Sequence, residues 1–468
     1  MRIEKDFLGE AEIESNAYYG IESLRAKKNF PISNQQVHPE MLKSYLLLKK
    51  AAALANYESH LLSKVETEAI TKAIDQIIAE EKIFDQIYYF IIDSYQAGAG
   101  TSQNMNINEV IANVANEICG YPLGSYGFIH PHNHVNLSQS TNDTYPTALR
   151  LATLSLSKKL LREISLCSSE LDTLAKSFNH ILKVGRTHLQ DALPMRLGQE
   201  FSGYKSTLDK LYKLLLQAHN YLYELGIGGS AIGTGQNVPK AYPENILKHL
   251  RLLFVEPHLY LSHNLFFSMQ SQLPMMIYSN ALRAICLEFT RIVNDLRLMA
   301  SGPATGFQEI FLPETQPGSS IMPGKINPSI LEMGNQVFFK VLGNDTAMAY
   351  ALQAGQLELN VMMPLMAQVS LESTMILTNA LKSIRENCLK GMRANEAQCE
   401  KNAGLSVHIV TALSPLIGYT QSAELAKEAR KRNKSIIDLV KEKNLLSEKQ
   451  IEKYLDLKKI SEVSPNSI

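Results

Sequence analysis

At 468 residues the chain is too long for one compact core, and at roughly 150 residues per domain it should fold as about three. Hydrophobic residues make up 45% and charged residues 20%, a usage that excludes a mainly disordered chain. Lys plus Arg (46) cancels Asp plus Glu (46), so no global field draws the molecule to nucleic acid or to an anionic membrane, although a small cationic pocket stays compatible with that balance. Trp is absent, Met numbers 16 and aromatic residues are 7%, which favours Leu/Ala/Met-rich helical packing over a β-sandwich.

The first residues, MRIEKDFLGEAEIES, carry acids where a signal peptide needs an apolar run. Helices are expected from Met41 to Ala55 and from Ser63 to Glu80, then from Ser155 to Phe178. From Leu197 a stripe of Phe201, Tyr204, Leu208, Leu211, Leu215, Ala218, Leu222 and Leu225 alternates spacings of three and four. That pattern predicts a helix of about eight turns, roughly 43 Å long. A second stripe runs Met275, Tyr278, Leu282, Ile285, Phe289, Ile292, Leu296, Met299, with Pro274 placed for a first helical turn. Leu357 to Leu389 also reads as helix. Helices this long and apolar cannot stand alone in water and should bundle.

Short helices follow at Ser422 to Arg432, Ser435 to Glu442 and Glu448 to Leu455, the last with Ser447 and Gln450 at capping-box spacing. The basic cluster from Lys427 to Lys434, with Glu428 inside it, reads as a solvated helix face. Five scattered cysteines (Cys119, Cys167, Cys286, Cys388, Cys399) form no CxxC pair and fit a reducing compartment. No run reaches the ~18 apolar residues of a membrane span, so a cytoplasmic protein is expected.

Four polar segments interrupt the helical pattern: QAGAGTSQNMN at 96–106, HPHNHVNLSQSTND at 130–143, GRTHLQD at 185–191 and PGSSIMPGKINP at 317–328. They are rich in hydroxyl, amide and imidazole groups and poor in carboxylates, an inventory suited to a ligand with several anionic oxygens. The glycine run from Gly226 to Ala231 follows the long helix rather than a strand, which argues against a dinucleotide fold. His130, His132 and His134 alternate with Pro131 and Asn133, which favours loop capping or anion contact over metal ligation. In the fourth segment Gly318 and Gly324 allow tight backbone, Lys325 supplies a charge, and Asn327 sits near a helix N-terminus.

GSSIMPGKINP at 318–328 closely resembles the signature of the fumarase/aspartase superfamily, and GTSQNMN, STND and GRTHLQD resemble its companion segments in the same order. The opening RIEKDFLGE and AYYGIESLRA at 17–26 resemble aspartases, since class II fumarases carry Trp where Tyr19 stands. The resemblance implies an all-α fold with a central bundle of long helices between smaller N- and C-terminal helical domains, here 1–141, 142–396 and 397–468. It also implies a homotetramer whose active sites are each built from three subunits, acting on L-aspartate, fumarate and ammonia; the sequence carries no evident metal cage, and the elimination needs no organic cofactor.

By the same resemblance Ser319 is the catalytic base, with His188 the alternative base, and Glu332 pairs with His188. Thr101, Ser140 and Thr141 donate to the β-carboxylate; Thr187, Lys325 and Asn327 hold the α-carboxylate; Asn142 and His188 orient the amino group. Three departures stand out: Met363 where aspartases carry Glu, Ala304 in place of Arg, and HPHNHVN in place of shorter forms. The first two should alter packing rather than activity; the third leaves an anion site near His130 open. The nearest rival is a class II fumarase acting on malate, and a rival of another kind is a non-catalytic crystallin-like member.

Overall fold

The computed structural model describes residues 1–462. It is mostly helical. A hairpin of β1 (Arg2–Asp6) and β2 (Gly9–Ile13) precedes α1 (Ile21–Asn29), α2 (Pro39–Glu58), α3 (Lys64–Ala79), α4 (Thr101–Ile118) and α5 (Thr141–Ser177). A second hairpin, β3 (Leu182–Thr187) and β4 (Gln190–Arg196), leads into α6 (Leu197–Asn220). Strand β5 (Glu224–Leu225) pairs in parallel with β6 (Tyr260–Leu261) across α7 (Tyr242–Phe254), and α8 (Leu265–Gln270) and α9 (Leu273–Met299) follow. Next come β7 (Ile310–Phe311), α10 (Ser329–Gln353), α11 (Met363–Ile384) and β8 (Arg393–Ala394), which is antiparallel to β7. The chain continues through α12 (Glu396–Leu405), α13 (Ser414–Ile417), α14 (Tyr419–Arg432), α15 (Ile436–Glu442), α16 (Glu448–Tyr454) and α17 (Leu457–Ile460).

Both predicted stripes are buried throughout: Phe201 to Leu225 at the named positions, and Met275 to Met299 likewise. Burying each such side chain contributes about 1.5–3 kcal/mol as an upper estimate, which is what holds these long helices against neighbours. Capping agrees with the sequence. Ser63 and Glu66 form a reciprocal capping box on α3, and Ser447 and Gln450 do the same on α16.

Three boundaries differ most from expectation. Helix α6 ends at Asn220, and Leu222 and Leu225 stay buried in a 3-10 turn and a short strand, so apolar spacing continued past the helix. Helix α5 begins at Thr141, fourteen residues before the predicted start at Ser155, and carries Pro146 within its first turns. Residues 357–362 are not helical because Asn360 intervenes. Its amide donates to the Ala351 and Leu352 carbonyls at 3.0 Å each, closing α10, and its oxygen accepts the Met362 N–H at 2.9 Å just before α11.

The chain divides into two compact units, one of Met1–Arg162, Lys213–Leu287 and Val337–Asn379, the other of Glu163–Tyr212, Glu288–Gln336 and the chain from Ala380 on. In the first, α9 meets α10 through Ser279 and Asp345 (2.6 Å) and α11 through Tyr278 and Thr374 (3.1 Å). In the second, α5 meets α6 through Ser168 and Asp209 (2.6 Å), α6 meets α9 through Tyr204 and Asp295 (3.2 Å), and α9 meets α10 through Asn294 and Asn335 (2.9 Å). A separate apolar cluster of Ile409, Leu413, Leu425, Ile436, Leu439 and Leu455 holds the last helices together. The basic face of α14 is solvated as expected, with Arg432 and Lys434 paired to Glu442 and Arg432 also to Glu428. Among the described residues no helix is long and apolar enough to cross a membrane.

Candidate active site

The first unit holds Thr101, Ser140, Thr141 and Asn142. Thr101 is exposed at the first position of α4, and Thr141 and Asn142 open α5. Two helix N-termini therefore present the positive ends of their dipoles, which favour an anion, with the Gln103 N–H taken by Gln96 Oε1 (2.8 Å) and the Asn142 N–H by Ser140 Oγ (3.2 Å). Gly100 sets the start of α4: its φ is +85°, and a Cβ there would collide with the Tyr145 ring. The segment read as an irregular loop at 101–106 is helix, and its amides are buried. Asn104 donates to Thr141 Oγ1 at 3.0 Å and so ties the two helix starts together.

Beneath them lies a buried polar network. Lys49 of α2 is fully buried and donates to Asn136 Oδ1 (3.0 Å) and Gln139 Oε1 (2.9 Å). Burial pushes its ammonium down to about 7, only partly offset by Asp143. Asp143, also fully buried, accepts N–H groups from Ser140 (3.0 Å), Gly228 (3.1 Å) and Ser230 (3.0 Å). Burial raises its carboxyl to about 7 against the pull of those donors. Asn142 donates to the Ala231 carbonyl at 2.8 Å, so the STND segment is clamped to the glycine run at 226–231. That run follows the two-residue strand β5, a correction to the expectation of a helix before it, but α7 starts only at Tyr242, and no helix opens from the glycines.

The second unit holds Thr187, His188, Ser319, Lys325, Asn327 and Glu332. GRTHLQD is not a plain loop. It spans the β3–β4 turn, where His188 and Leu189 take φ of +55° and +56° and, with Thr187, stand exposed. The hairpin is anchored by charge. Arg186 lies 2.7 Å and Lys183 2.9 Å from the fully buried Glu309, Lys183 is also 2.5 Å from Glu200, and the Arg186 guanidinium stacks 4.2 Å over the Phe307 ring.

The segment at 317–328 is irregular and largely exposed, as expected, and α10 starts directly after it at Ser329. Ser319 Oγ accepts the N–H groups of Ile321 (3.2 Å) and Met322 (3.0 Å). Gly318 donates to the Lys325 carbonyl (2.8 Å), and Asn327 Nδ2 donates to the Gly318 carbonyl (2.6 Å). A Cβ on Gly318 would sit 2.6 Å from the Asn327 nitrogen, so only glycine permits this closure. Glu332, in the first turn of α10, lies 3.7 Å from Arg297.

The histidine run forms a π-helical turn, Pro131–Val135, capped by its own imidazoles: His130 Nδ1 accepts the His132 N–H (3.1 Å) and His134 Nδ1 accepts the His130 N–H (3.0 Å). His132 Nε2 lies 2.5 Å from Glu22, which raises its pKa. Met363, a departure from the family pattern, is fully buried. Sequence reasoning assigned no role to Lys49, Asn104, Asp143 or Glu309. The available signals were a lysine pair inside the apolar run LLLKKAAALA and the amide-rich TSQNMNINE.

A profile of the Lyase family matches residues 9–343, and one of the Fumarase C C-terminus matches residues 409–462. The aspartate ammonia-lyase of Bacillus subtilis is 44% identical over 455 residues, covering 97% of this chain and 95% of that protein. A fumarate lyase:delta crystallin from Brucella melitensis superposes with a TM-score of 0.94 at 40% identity, covering 99% of this chain and all of that one. A class II fumarase from Schistosoma mansoni superposes at 0.93 with 30% identity, over 98% of this chain and 99% of that one. The chain belongs to the fumarase/aspartase superfamily of lyases, in its aspartate ammonia-lyase branch.

Proposed function

We propose that this chain eliminates ammonia from L-aspartate, reversibly, to give fumarate. The observation that carries the reading is Ser319 Oγ, which already faces two backbone N–H groups in a glycine-flanked loop. A neutral serine is a poor base, and convergent amides are what an alkoxide needs. Ser319, as the alkoxide, takes the proton from Cβ and becomes the hydroxyl, charge moves onto the β-carboxylate as an aci-carboxylate, and the C–N electron pair leaves with ammonia as the Cα–Cβ double bond forms. Rate acceleration requires that this dianionic end be held more tightly than the ground-state carboxylate.

Thr101, Ser140 and Thr141 supply that stabilisation, from two helix N-termini. Thr187, Lys325 and Asn327 hold the α-carboxylate. Asn142, whose amide N–H is engaged by Ala231, has its oxygen left to accept from the substrate ammonium, together with His188. Glu332 sets the tautomer of His188. The protein works as a cytoplasmic homotetramer whose sites each draw on three subunits, and Ser319, Lys325 and His188 argue against a purely structural member.

The second reading, a class II fumarase, is favoured by the likeness to the Schistosoma mansoni enzyme, at lower identity than the aspartate ammonia-lyases. Incubation with L-aspartate or L-malate, followed by fumarate absorbance, separates them. Fumarate from aspartate is expected; turnover of malate alone would replace this reading with the second. Light scattering of the same sample should give four times the chain mass.

A further inference from the structure

We infer that Lys49 and Asn104 are positioning residues that fix which way the Thr141 hydroxyl points its proton, making it an obligatory donor to the substrate. The inference rests on the proposed contact of Thr141 with the β-carboxylate and names what enforces it.

Lys49 Nζ carries at least two N–H groups in either charge state, enough to donate to both amide oxygens it meets. Lys49 faces Asn136 Oδ1 and Gln139 Oε1. Both amides are locked the same way from their other side: Gln139 Nε2 donates to the carbonyls of Val135 (2.9 Å) and Leu137 (3.1 Å), and Asn136 Nδ2 to that of Gln139 (3.3 Å). Asn136 Oδ1 can only accept, so the neighbours that meet it, Asn104 and Asn108, must each present Nδ2, as they do at 3.2 Å. With Asn104 so oriented, its second N–H falls on Thr141 Oγ1 at 3.0 Å, while its oxygen takes the Tyr45 hydroxyl, also at 3.0 Å.

Thr141 is thereby an acceptor towards the protein, and among the described residues no group takes its own proton. That proton is left for a ligand at the N-terminus of α5. The order of choices, held by Lys49 and the backbone carbonyls and running from Asn136 to Asn104 to Thr141, ends on a hydroxyl with one permitted role. A preset donor needs no reorganisation as charge develops, which is the source of its catalytic advantage.

Asn104→Asp keeps the shape and reverses the logic, because an ionised carboxylate can only accept and would draw the Thr141 proton away from the ligand. Asn104→Ala leaves that proton free to turn outward. N104D should lower kcat/KM for L-aspartate about 100-fold, as the loss of one oxyanion donor does, and more than N104A does. A buried carboxylate against Asn136 Oδ1 also costs stability, so kcat/KM is compared on samples of equal folded content, and a loss in N104D no greater than in N104A would overturn the inference.

Succinate, which has both carboxylates and no amine to lose, gives a readout independent of turnover. Its binding by calorimetry should weaken in N104D more than in N104A. If the wild-type protein releases no fumarate and N104D still weakens succinate, the proposed activity fails and the hydroxyl assignment stands. If N104D does not fold, Lys49→Met carries the test: it should lower kcat/KM several-fold at unchanged oligomeric state, and an unchanged kcat/KM would overturn the role of Lys49.

Discussion

The guanidinium of Arg186 lies 2.7 Å from the buried carboxylate of Glu309, one residue before Thr187 and two before His188. Glu309 also faces Lys183 at 2.9 Å, so one carboxylate compensates two cations of strand β3. Removing one partner of such a buried set leaves uncompensated charge, typically at a cost of about 3–5 kcal/mol. Glu309→Ala should therefore lose stability of that order in urea denaturation, while Glu309→Asp should lose less. Equal stability of E309A and wild type would show that the hairpin is anchored elsewhere.

Gly318→Ala is expected to separate activity from stability. The added methyl would press 2.6 Å from the Asn327 nitrogen and 2.7 Å from the Lys325 oxygen, opening the turn that holds Ser319, Lys325 and Asn327 together. The segment is largely exposed, so the melting temperature should change little while kcat/KM falls at least about tenfold, the scale of catalytic misplacement. A fully active G318A would remove the loop closure from the mechanism.

Lys49 predicts a pH dependence of stability with a definite sign. Burial holds its folded pKa at about 7, below the ~10.4 of an exposed lysine. Between those values the unfolded chain binds more protons than the folded one, so this group makes stability rise as pH increases from about 7 towards 10. Urea midpoints at pH 7, 8 and 9 should rise less steeply in Lys49→Met than in wild type. Parallel slopes would mean that Lys49 stays charged in the fold.

Lys325 tests the α-carboxylate assignment. Lys325→Ala should raise KM for L-aspartate at least about tenfold, since a charge-assisted bond to a carboxylate contributes about 1.5–3 kcal/mol. Initial rates across aspartate concentration measure it. An unchanged KM would move the α-carboxylate to another partner.

Much of the scaffold was legible because burial is periodic: Phe201 to Ala218 and Met275 to Met299 announce helices through spacing alone. Leu222 and Leu225 misled for the same reason, since both remain buried after the helix has ended. The β3–β4 hairpin was not legible, because its turn places His188 and Leu189 at positive φ without the Gly or Asn that marks such turns. Asn104 was hidden because an amide-rich stretch reads as exposed loop. It is buried instead, with its oxygen and both N–H groups engaged. The motifs single out the proposed reacting groups, while the residues proposed to orient them needed three-dimensional neighbours to be seen.

The most direct test is the steady-state turnover of L-aspartate by Ser319→Ala, with succinate binding measured on the same sample. Ser319 as base predicts that fumarate release is abolished while succinate still binds and the assembly keeps its size. Retained turnover in S319A, with loss in His188→Ala instead, would contradict it and make the imidazole the base.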